Sequence, residues 1–315
     1  MSGATRKGVV LHLGVVALLA GLQFVLPAYH HGNLARVMVL ASFALGYNVM
    51  FGYTGLLSLG HAMFFAAGLY GMGLAMRHLG VPALPALALG VLCGAALAAL
   101  VGLLALRTAG VAFMIVTLMF AQTGYLTILY FGAFTRGDEG FVIPRAARRI
   151  GALDLSEPTT RYFAALLLLG LCLFATLALV RSSTGRVLIA IRENEDRARM
   201  LGYDVFRYKL LAMVISGAMA GAAGAAYGLL FGYVGATFAS VQYSIFPLLW
   251  VLLGGAGTVL GPLVGTLFMF YLIDLSSGFT SAYMLIAGVA LVLLTLFAPR
   301  GLMGLVRARL VPWLP

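Results

Sequence analysis

Charge is the scarcest thing in this sequence. Lysine and arginine number 20 and aspartate and glutamate 9, so only 9% of the 315 residues are charged. A soluble domain averages roughly 25%. With 63% of its residues hydrophobic, the chain has more apolar surface than a water-facing fold can hide, and lipid must be the solvent for most of it. Cysteine is nearly missing as well. Cys93 and Cys172 lie inside apolar segments, read as small core hydrophobes, and give neither a disulfide framework nor a metal site. No glycine-rich loop ends in Gly-Lys-Ser/Thr: the cluster at 254–261 has no lysine after it and does not cradle ATP. There is no His-Glu-x-x-His pair, no pair of aspartates within spans and no Ser/Lys dyad, which argues against an intramembrane enzyme. No charged ring or filter element suggests an ion channel. The poverty of buried ionisable groups also counts against the runner-up reading, an ion-gradient-driven secondary transporter of a small organic solute. Asp274 is the one carboxylate in or at the edge of an expected span. It falls near a helix end beside Ser276 and Ser277 and reads as interfacial.

What is present is long apolar runs and 40 glycines, a residue that membrane helices use for close approach. A helix needs about 20 apolar residues to cross the hydrocarbon. Segments 9–27, 34–51, 84–106, 111–131, 162–180, 209–231 and 281–298 meet or approach that length. Residues 52–76 allow a glycine-broken loop plus one span, and 243–275 divides at "GGAGTVLGP" into about 243–253 and 258–275. The sum is an all-α polytopic membrane protein of about ten helices, with eight or nine as the lower counts, in a single domain over 1–315. The apolar run after Arg6 and Lys7 is longer than a signal core and reads as an uncleaved first span.

The net charge of +11 does not point to nucleic acid, because the basic residues sit in short loops and at the ends. Arg6 and Lys7, the segment 181–209 with Arg181 and six further basic residues, and Arg300, Arg307 and Arg309 should all be cytoplasmic. An even number of spans on each side of 181–209 satisfies this and puts both termini inside. The loop 132–161 is then external, despite Arg136, Arg145, Arg148, Arg149 and Arg161. The two glycine breaks, "GYTG" at 52–55 and "GGAG" at 254–257, fall in comparable places in the two halves. They mark either an internal repeat with the path between the halves or ordinary glycine-mediated packing.

The segment "STGRVLIAIRENEDRARMLGYDVFRYK" (183–209) is unlike the rest. Ser182, Ser183 or Thr184 could cap a helix; Val187, Ile191, Ala198 and Leu201 share an apolar face; Gly202 is a C-terminal cap. Three readings compete: a solvated loop whose arginines fix orientation, a lipid-headgroup patch, and a docking helix whose apolar knobs enter a groove on a soluble partner. A capped helix with alternating charge signs is more than topology needs, which favours docking.

Polar groups deep in apolar runs are few. Asn48, Thr117 and Gln122 line a path or bond across helices. His61, in "SLGHAMF", is either a structural histidine satisfied by Ser58 and loosened backbone or a substrate contact. Gly52, Gly55 and Gly60 allow the chain to break within the membrane.

Five co-linear blocks carry a family resemblance. "GYNVMFGYTGLLSLGHAMFFAAGLY" (46–70), "VAFMIVTLMFAQ" (111–122), "TRGDEGFVIP" (135–144), "GRVLIAIRENEDRARMLGYDVFRYKLLAMVISGAMAGAAGAAYG" (185–228) and "LLGGAGTVLGPLVGTLF" (252–268) resemble the branched-chain amino acid ABC transporter permeases. The "GDEG" segment resembles the larger permease of the pair. The resemblance implies the ten-helix fold of type II importers and a bacterial inner-membrane location. It implies a second homologous permease, two cytoplasmic ATP-binding subunits that carry ATP and Mg, a soluble periplasmic binding protein, and no cofactor on this chain. It also implies import of branched-chain amino acids or related small amides and carboxylates. The loop is then an ATPase-coupling helix bearing Gly185, Arg186, Ile191, Arg192, Glu193, Glu195, Ala198, Leu201 and Gly202. The translocation path falls to Asn48, Gly52, Gly55, Ser58, His61, Thr117 and Gln122.

Overall fold

A computed structural model describes residues 3–298 and 300–309. Residues 1, 2, 299 and 310–315 of the expected single domain lie outside the described residues. The chain opens with α1 (Gly3–Val25) and α2 (Ala28–Asn48), divided at Pro27, which cannot continue a helix. Helix α2 widens into a π-turn at Val49–Tyr53 and then stops. After an irregular stretch come α3 (Ala62–Leu79), α4 (Ala83–Ala105) and α5 (Val111–Tyr130). A connecting segment holds the one-turn α6 (Gly132–Thr135) and three two-residue strands, β1 (Phe141–Val142), β2 (Arg149–Ile150) and β3 (Leu153–Asp154). Next are α7 (Pro158–Arg181), α8 (Ser183–Glu193), α9 (Glu195–Met200), α10 (Val205–Phe231) and β4 (Tyr233–Val234). The last helices are α11 (Val241–Gly254), α12 (Gly261–Ser277), α13 (Tyr283–Phe297) and α14 (Gly301–Arg309).

Every apolar segment expected to span has its helix, and both glycine-broken regions break where the sequence puts them. Six helical stretches among the described residues are long and apolar enough to cross a membrane. Helices α11 and α12 are shorter, with 14 and 17 residues. At 1.5 Å per residue they reach about 21 and 25 Å, less than a full hydrocarbon thickness. One expectation needs correcting: the 181–209 loop is two helices and not one. The loop 132–161 carries the three short strands. β1 pairs antiparallel with β4 (Phe141 with Val234), which fastens that loop to the end of α10. β2 pairs with β3, and there the Ser156 N–H and Arg145 hold the Asp154 carboxyl down to about 2.

Helix α2 is the hub: from Leu34 to Asn48 all but Arg36 are buried. Around it, α3, α4 and α10 close through glycine. A Cβ on Gly94 would stand 2.5 Å from the Gly217 carbonyl and 2.7 Å from the Gly221 Cα, and one on Gly221 would stand 2.9 Å from the Gly90 carbonyl. The helix backbones therefore touch, which is how helices associate where lipid supplies no hydrophobic drive. By contrast, α5 buries only Phe113, Thr117 and Ala121.

One end of the bundle collects the N-terminal end of α1, whose Gly8 lies against Arg181, together with α8, α9 and α14. The paired strands β1 and β4 lie beyond the opposite ends of α3 and α10, where Gly73 meets Val234 and Phe141. This arrangement puts the start of α1 and the helix α14 at the same end of the bundle as the charged loop.

The glycine seam makes a prediction. Gly94→Leu should lower the melting temperature of the detergent-purified chain by several degrees, since overpacking costs about 1–3 kcal/mol. Gly124→Ala, which meets nothing within 4 Å, should leave it unchanged. A thermal melt followed by size-exclusion chromatography reads both.

Candidate functional site

The breaks at 49–61 and 255–260 meet. Breaking a helix inside a membrane frees amides and carbonyls that lipid cannot bind. Asn48, fully buried, resolves much of this with one side chain: its Nδ2 donates to the Thr258 carbonyl at 2.9 Å and its Oδ1 accepts from the Gly257 N–H at 3.0 Å. Thr54 Oγ1 donates to the Val49 carbonyl at 2.9 Å, and Thr258 Oγ1 to the Gly255 carbonyl at 2.7 Å. Gly52 must be glycine, because a Cβ there would collide with Asn48 Oδ1 and the Gly257 nitrogen. Gly257 needs no side chain for a second reason, its φ of +78°.

The charged loop reaches this junction. Arg192, at the C-terminal end of α8, donates from a guanidinium nitrogen to the Gly52 carbonyl. A Cβ on Gly257 would lie 2.7 Å from that same guanidinium, and one on Gly55 would lie 3.2 Å from Arg192 Cγ. A cavity of about 440 Å³ opens beside it, between Thr54–Leu57, the α4–α5 turn and the α8–α9 elbow. α14 closes the other side of the second break: a Cβ on Gly255 would stand 3.0 Å from the Gly304 nitrogen.

The elbow has a local cause. Ser182 Oγ caps α8 by accepting from the Gly185 N–H at 3.1 Å, as the serine cluster suggested. Asn194 then leaves the helical region (φ −160°, ψ 105°), and its Oδ1 accepts from the Arg197 N–H at 2.8 Å. Asn194 is thus an N-cap for α9, with Glu195 and Asp196 in the favourable first turn. Because of this break, the expected apolar face does not point outward. Val187, Ile191 and Ala198 are buried against Val205 and Tyr208 of this same chain. The exposed apolar group is the tip of α9, where Met200 is 84% and Leu201 69% exposed. Gly202 follows with φ +86°, the left-handed cap expected of it.

The mixed charges are largely spent inside the loop. Arg199 pairs with Glu195 at 3.0 Å and Asp196 at 3.1 Å, Lys209 with Glu195, and Arg207 with Asp204 at 2.9 Å. Such exposed pairs contribute little individually, but Lys209–Glu195 ties α9 to the first turns of α10. Gly185 packs against the Leu179 carbonyl and Val180, while Arg186 and Glu193 are exposed.

The seven residues expected along the path fall into separate groups. Asn48, Gly52 and Gly55 gather at the junction. Ser58, His61 and Thr117 form a second group nearer the middle of the bundle: Tyr47 Oη donates to the Ser58 carbonyl at 2.9 Å, and Thr117 Oγ1 accepts from the Leu59 N–H at 3.3 Å. Ser58 does not satisfy His61; its Oγ accepts from the Gly60 N–H at 3.1 Å. Both His61 ring nitrogens are buried without a hydrogen bond, and the ring stacks on Phe43 at 5.1 Å. Gln122 stands apart on the exposed face of α5. The sequence reading missed Asn194 as a break, Met200 as an exposed tip, and α14. The Asn-Glu-Asp signal of an N-cap was there for the first of these.

Comparison with known proteins agrees with this architecture. Residues 31–297 match the family model for the permease component of the branched-chain amino acid transport system. The chain is 30% identical to the high-affinity branched-chain amino acid transport system permease protein LivM of Salmonella typhimurium, over 98% of this chain and 78% of that protein. The figures for LivM of Escherichia coli are the same. A probable LivM of Methanocaldococcus jannaschii is 37% identical over 28% of this chain and 26% of its own length. No solved structure matches the chain.

The junction generates a prediction of its own. Asn48→Ala removes both bonds and leaves the Gly257 N–H and Thr258 carbonyl buried, at about 1–3 kcal/mol each. The purified variant should melt several degrees lower, and 255–260 should show faster amide exchange while β1 and β4 stay protected. Unchanged exchange at 255–260 would show that Asn48 does not hold the breaks together.

Proposed function

The chain belongs to the branched-chain amino acid transport permease family, and on that premise we propose that it forms half of the translocation path of an ATP-driven importer in the bacterial inner membrane. Its cargo is branched-chain amino acids or related small amides and carboxylates. Its partners are a second homologous permease, two cytoplasmic ATP-binding subunits and a periplasmic binding protein. Both termini and the α8–α9 elbow face the cytoplasm, and the segment between α5 and α7 faces outward. Nucleotide chemistry belongs to the partners, and this chain is a transport subunit.

The observation that carries the coupling role is the bond from Arg192 to the Gly52 carbonyl. It links the elbow, whose exposed tip is Met200–Leu201, to the point where the two broken segments cross. The tip is the surface that seats in an ATP-binding subunit. When that subunit moves, α8 and α9 move as a unit around the buried Val187–Ile191–Ala198–Val205 cluster. Arg192 passes the displacement to Gly52, and through Asn48 to the second break. A bond of this kind transmits force only if it differs between the inward-open and outward-open states.

Two substitutions separate seating from transmission. Met200→Asp with Leu201→Asp should cut co-purification of the ATP-binding subunits at least tenfold and abolish uptake, with membrane insertion unchanged. Arg192→Met should leave co-purification intact and lower uptake per ATP hydrolysed at least tenfold. Full co-purification in the double variant would remove the elbow from the interface. Wild-type coupling in Arg192→Met would remove the link.

A further inference from the structure

Three arginines converge where α10 ends, at the end of the bundle opposite the elbow. Arg36 of α2 and Arg161 in the first turn of α7 hold their guanidinium carbons 5.3 and 5.6 Å from the centre of the same ring, that of Phe231. Arg148, which precedes β2, donates from Nη1 to the Leu230 carbonyl at 3.5 Å. A Cβ on Gly232 would stand 2.8 Å from its guanidinium carbon. Three separate pieces of chain thus bring a positive charge to one short stretch, 230–232. Arg161 feels the charge of both of the others.

Like charges gathered in this way repel unless something negative joins them. The face of the Phe231 ring and the carbonyls at the C-terminal end of α10 supply only partial charge. No carboxylate completes the group. Asp154 is taken by Arg145 at 3.1 Å and Arg149 at 3.9 Å. Asp274 accepts from Tyr29 Oη at 2.8 Å and from Asn33 Nδ2 at 3.3 Å. Among the described residues none of the three arginines is in an ion pair. Burial pushes the Arg148 guanidinium below its ordinary pKa, with Asp154 acting against it in second place. Donors are also left over. Arg161 Nη2 donates to the Ser156 carbonyl at 2.7 Å, but Nε of Arg148, Nε of Arg161 and Oγ of Ser156 are buried without a partner. Folded proteins leave few such groups, and each calls for a reason.

We propose that these three guanidiniums, with the Ser156 hydroxyl, are a binding site for a phosphate group. The guanidinium is a planar fork of donors that matches phosphate oxygens. A phosphate brings more acceptor oxygens than a carboxylate, so it can engage more than one fork at once. Arg161 stands in the first turn of α7 and Phe231 is the last residue of α10, which sets the cluster where the helices leave the hydrocarbon. Basic pockets between membrane helices hold lipid headgroups in this way. The phosphate is carried by an anionic phospholipid or arrives free in solution. The site goes beyond the importer reading above and is independent of its cargo.

Thermal melts of the full chain, purified in detergent and freed of lipid, test it. Two ligands are titrated at constant ionic strength: inorganic phosphate and phosphatidylglycerol. Acetate and phosphatidylcholine are the controls. Phosphate or phosphatidylglycerol should raise Tm saturably and its control should not; the arm that responds identifies the source. Arg36→Gln and Arg148→Gln should each weaken that response at least tenfold. Without ligand, Arg36→Gln should melt no lower than the unaltered chain, because it removes a like charge and no hydrogen bond. Arg77→Gln should keep the full response, since Arg77 stands apart over the Phe141 ring. No rise in either arm, an equal rise with acetate, or a full response in both variants would overturn the site. So would a loss of Tm in Arg36→Gln that is the same with and without ligand, which would make the arginine a structural brace.

Discussion

The constraint on which the rest of the structure depends is that a helix broken inside a membrane must find partners for its freed backbone groups within the protein. This chain breaks two helical hairpins and lets each break satisfy the other. Asn48 is the clasp, with donor and acceptor ends both used on 257–258. Gly52 and Gly257 permit the approach because neither carries a Cβ. The short reach of α11 and α12 follows from the same constraint. Their turn lies against the end of α2, with α14 laid across it.

Once the breaks are joined, the position of the charged loop acquires a meaning. An elbow attached only to α7 and α10 would be a surface appendage. Through Arg192 it touches the first break, and through Gly257 it lies within reach of the second. A single guanidinium thereby contacts the two segments whose crossing holds the halves together. The salt bridges of α9 belong to the same design. Glu195 is occupied with Arg199 and Lys209, and the second of these pairs joins α9 to α10.

Much of this was legible in residue pattern. Apolar run length placed the helices, and the glycine clusters placed both breaks, because each signal has a direct physical cause in lipid. Ser182 as a cap was legible for the same reason. What stayed hidden was orientation. Val187, Ile191 and Ala198 form an apolar face whether they meet a partner or their own chain, and only the bend at Asn194 decides that they turn inward. Reading through Asn194 as continuous helix carried Leu201 onto the wrong face. His61 shows a related limit. Serine and glycine beside it suggested a satisfied ring, yet Ser58 bonds Gly60, and the ring lies stacked on Phe43, between Tyr47 and Phe64.

The distribution of polarity around α2 shows how one helix serves both ends of the molecule. Its outer half presents Tyr29, Asn33 and Arg36 on one face, its middle presents Leu40, Phe43 and Tyr47 on that same face, and its inner end carries Asn48 and the π-turn. A π-turn inserts one residue into the helical repeat and costs hydrogen-bond quality, so it persists only where surrounding packing fixes it. Here the packing is the Gly52 contact and the Arg192 bond, both at the end of the bundle that carries the α8–α9 elbow. Any displacement of the elbow that releases Gly52 therefore acts directly on the one irregular turn of α2. Relaxing that turn toward regular helix rotates the outer face by a fraction of a turn relative to α12. The residues carried on that face are the ones that bond Asp274. On the coupling proposed above, the broken end of α2 and its polar face are two ends of one lever, which turns against the closely packed glycine seam of α3, α4 and α10.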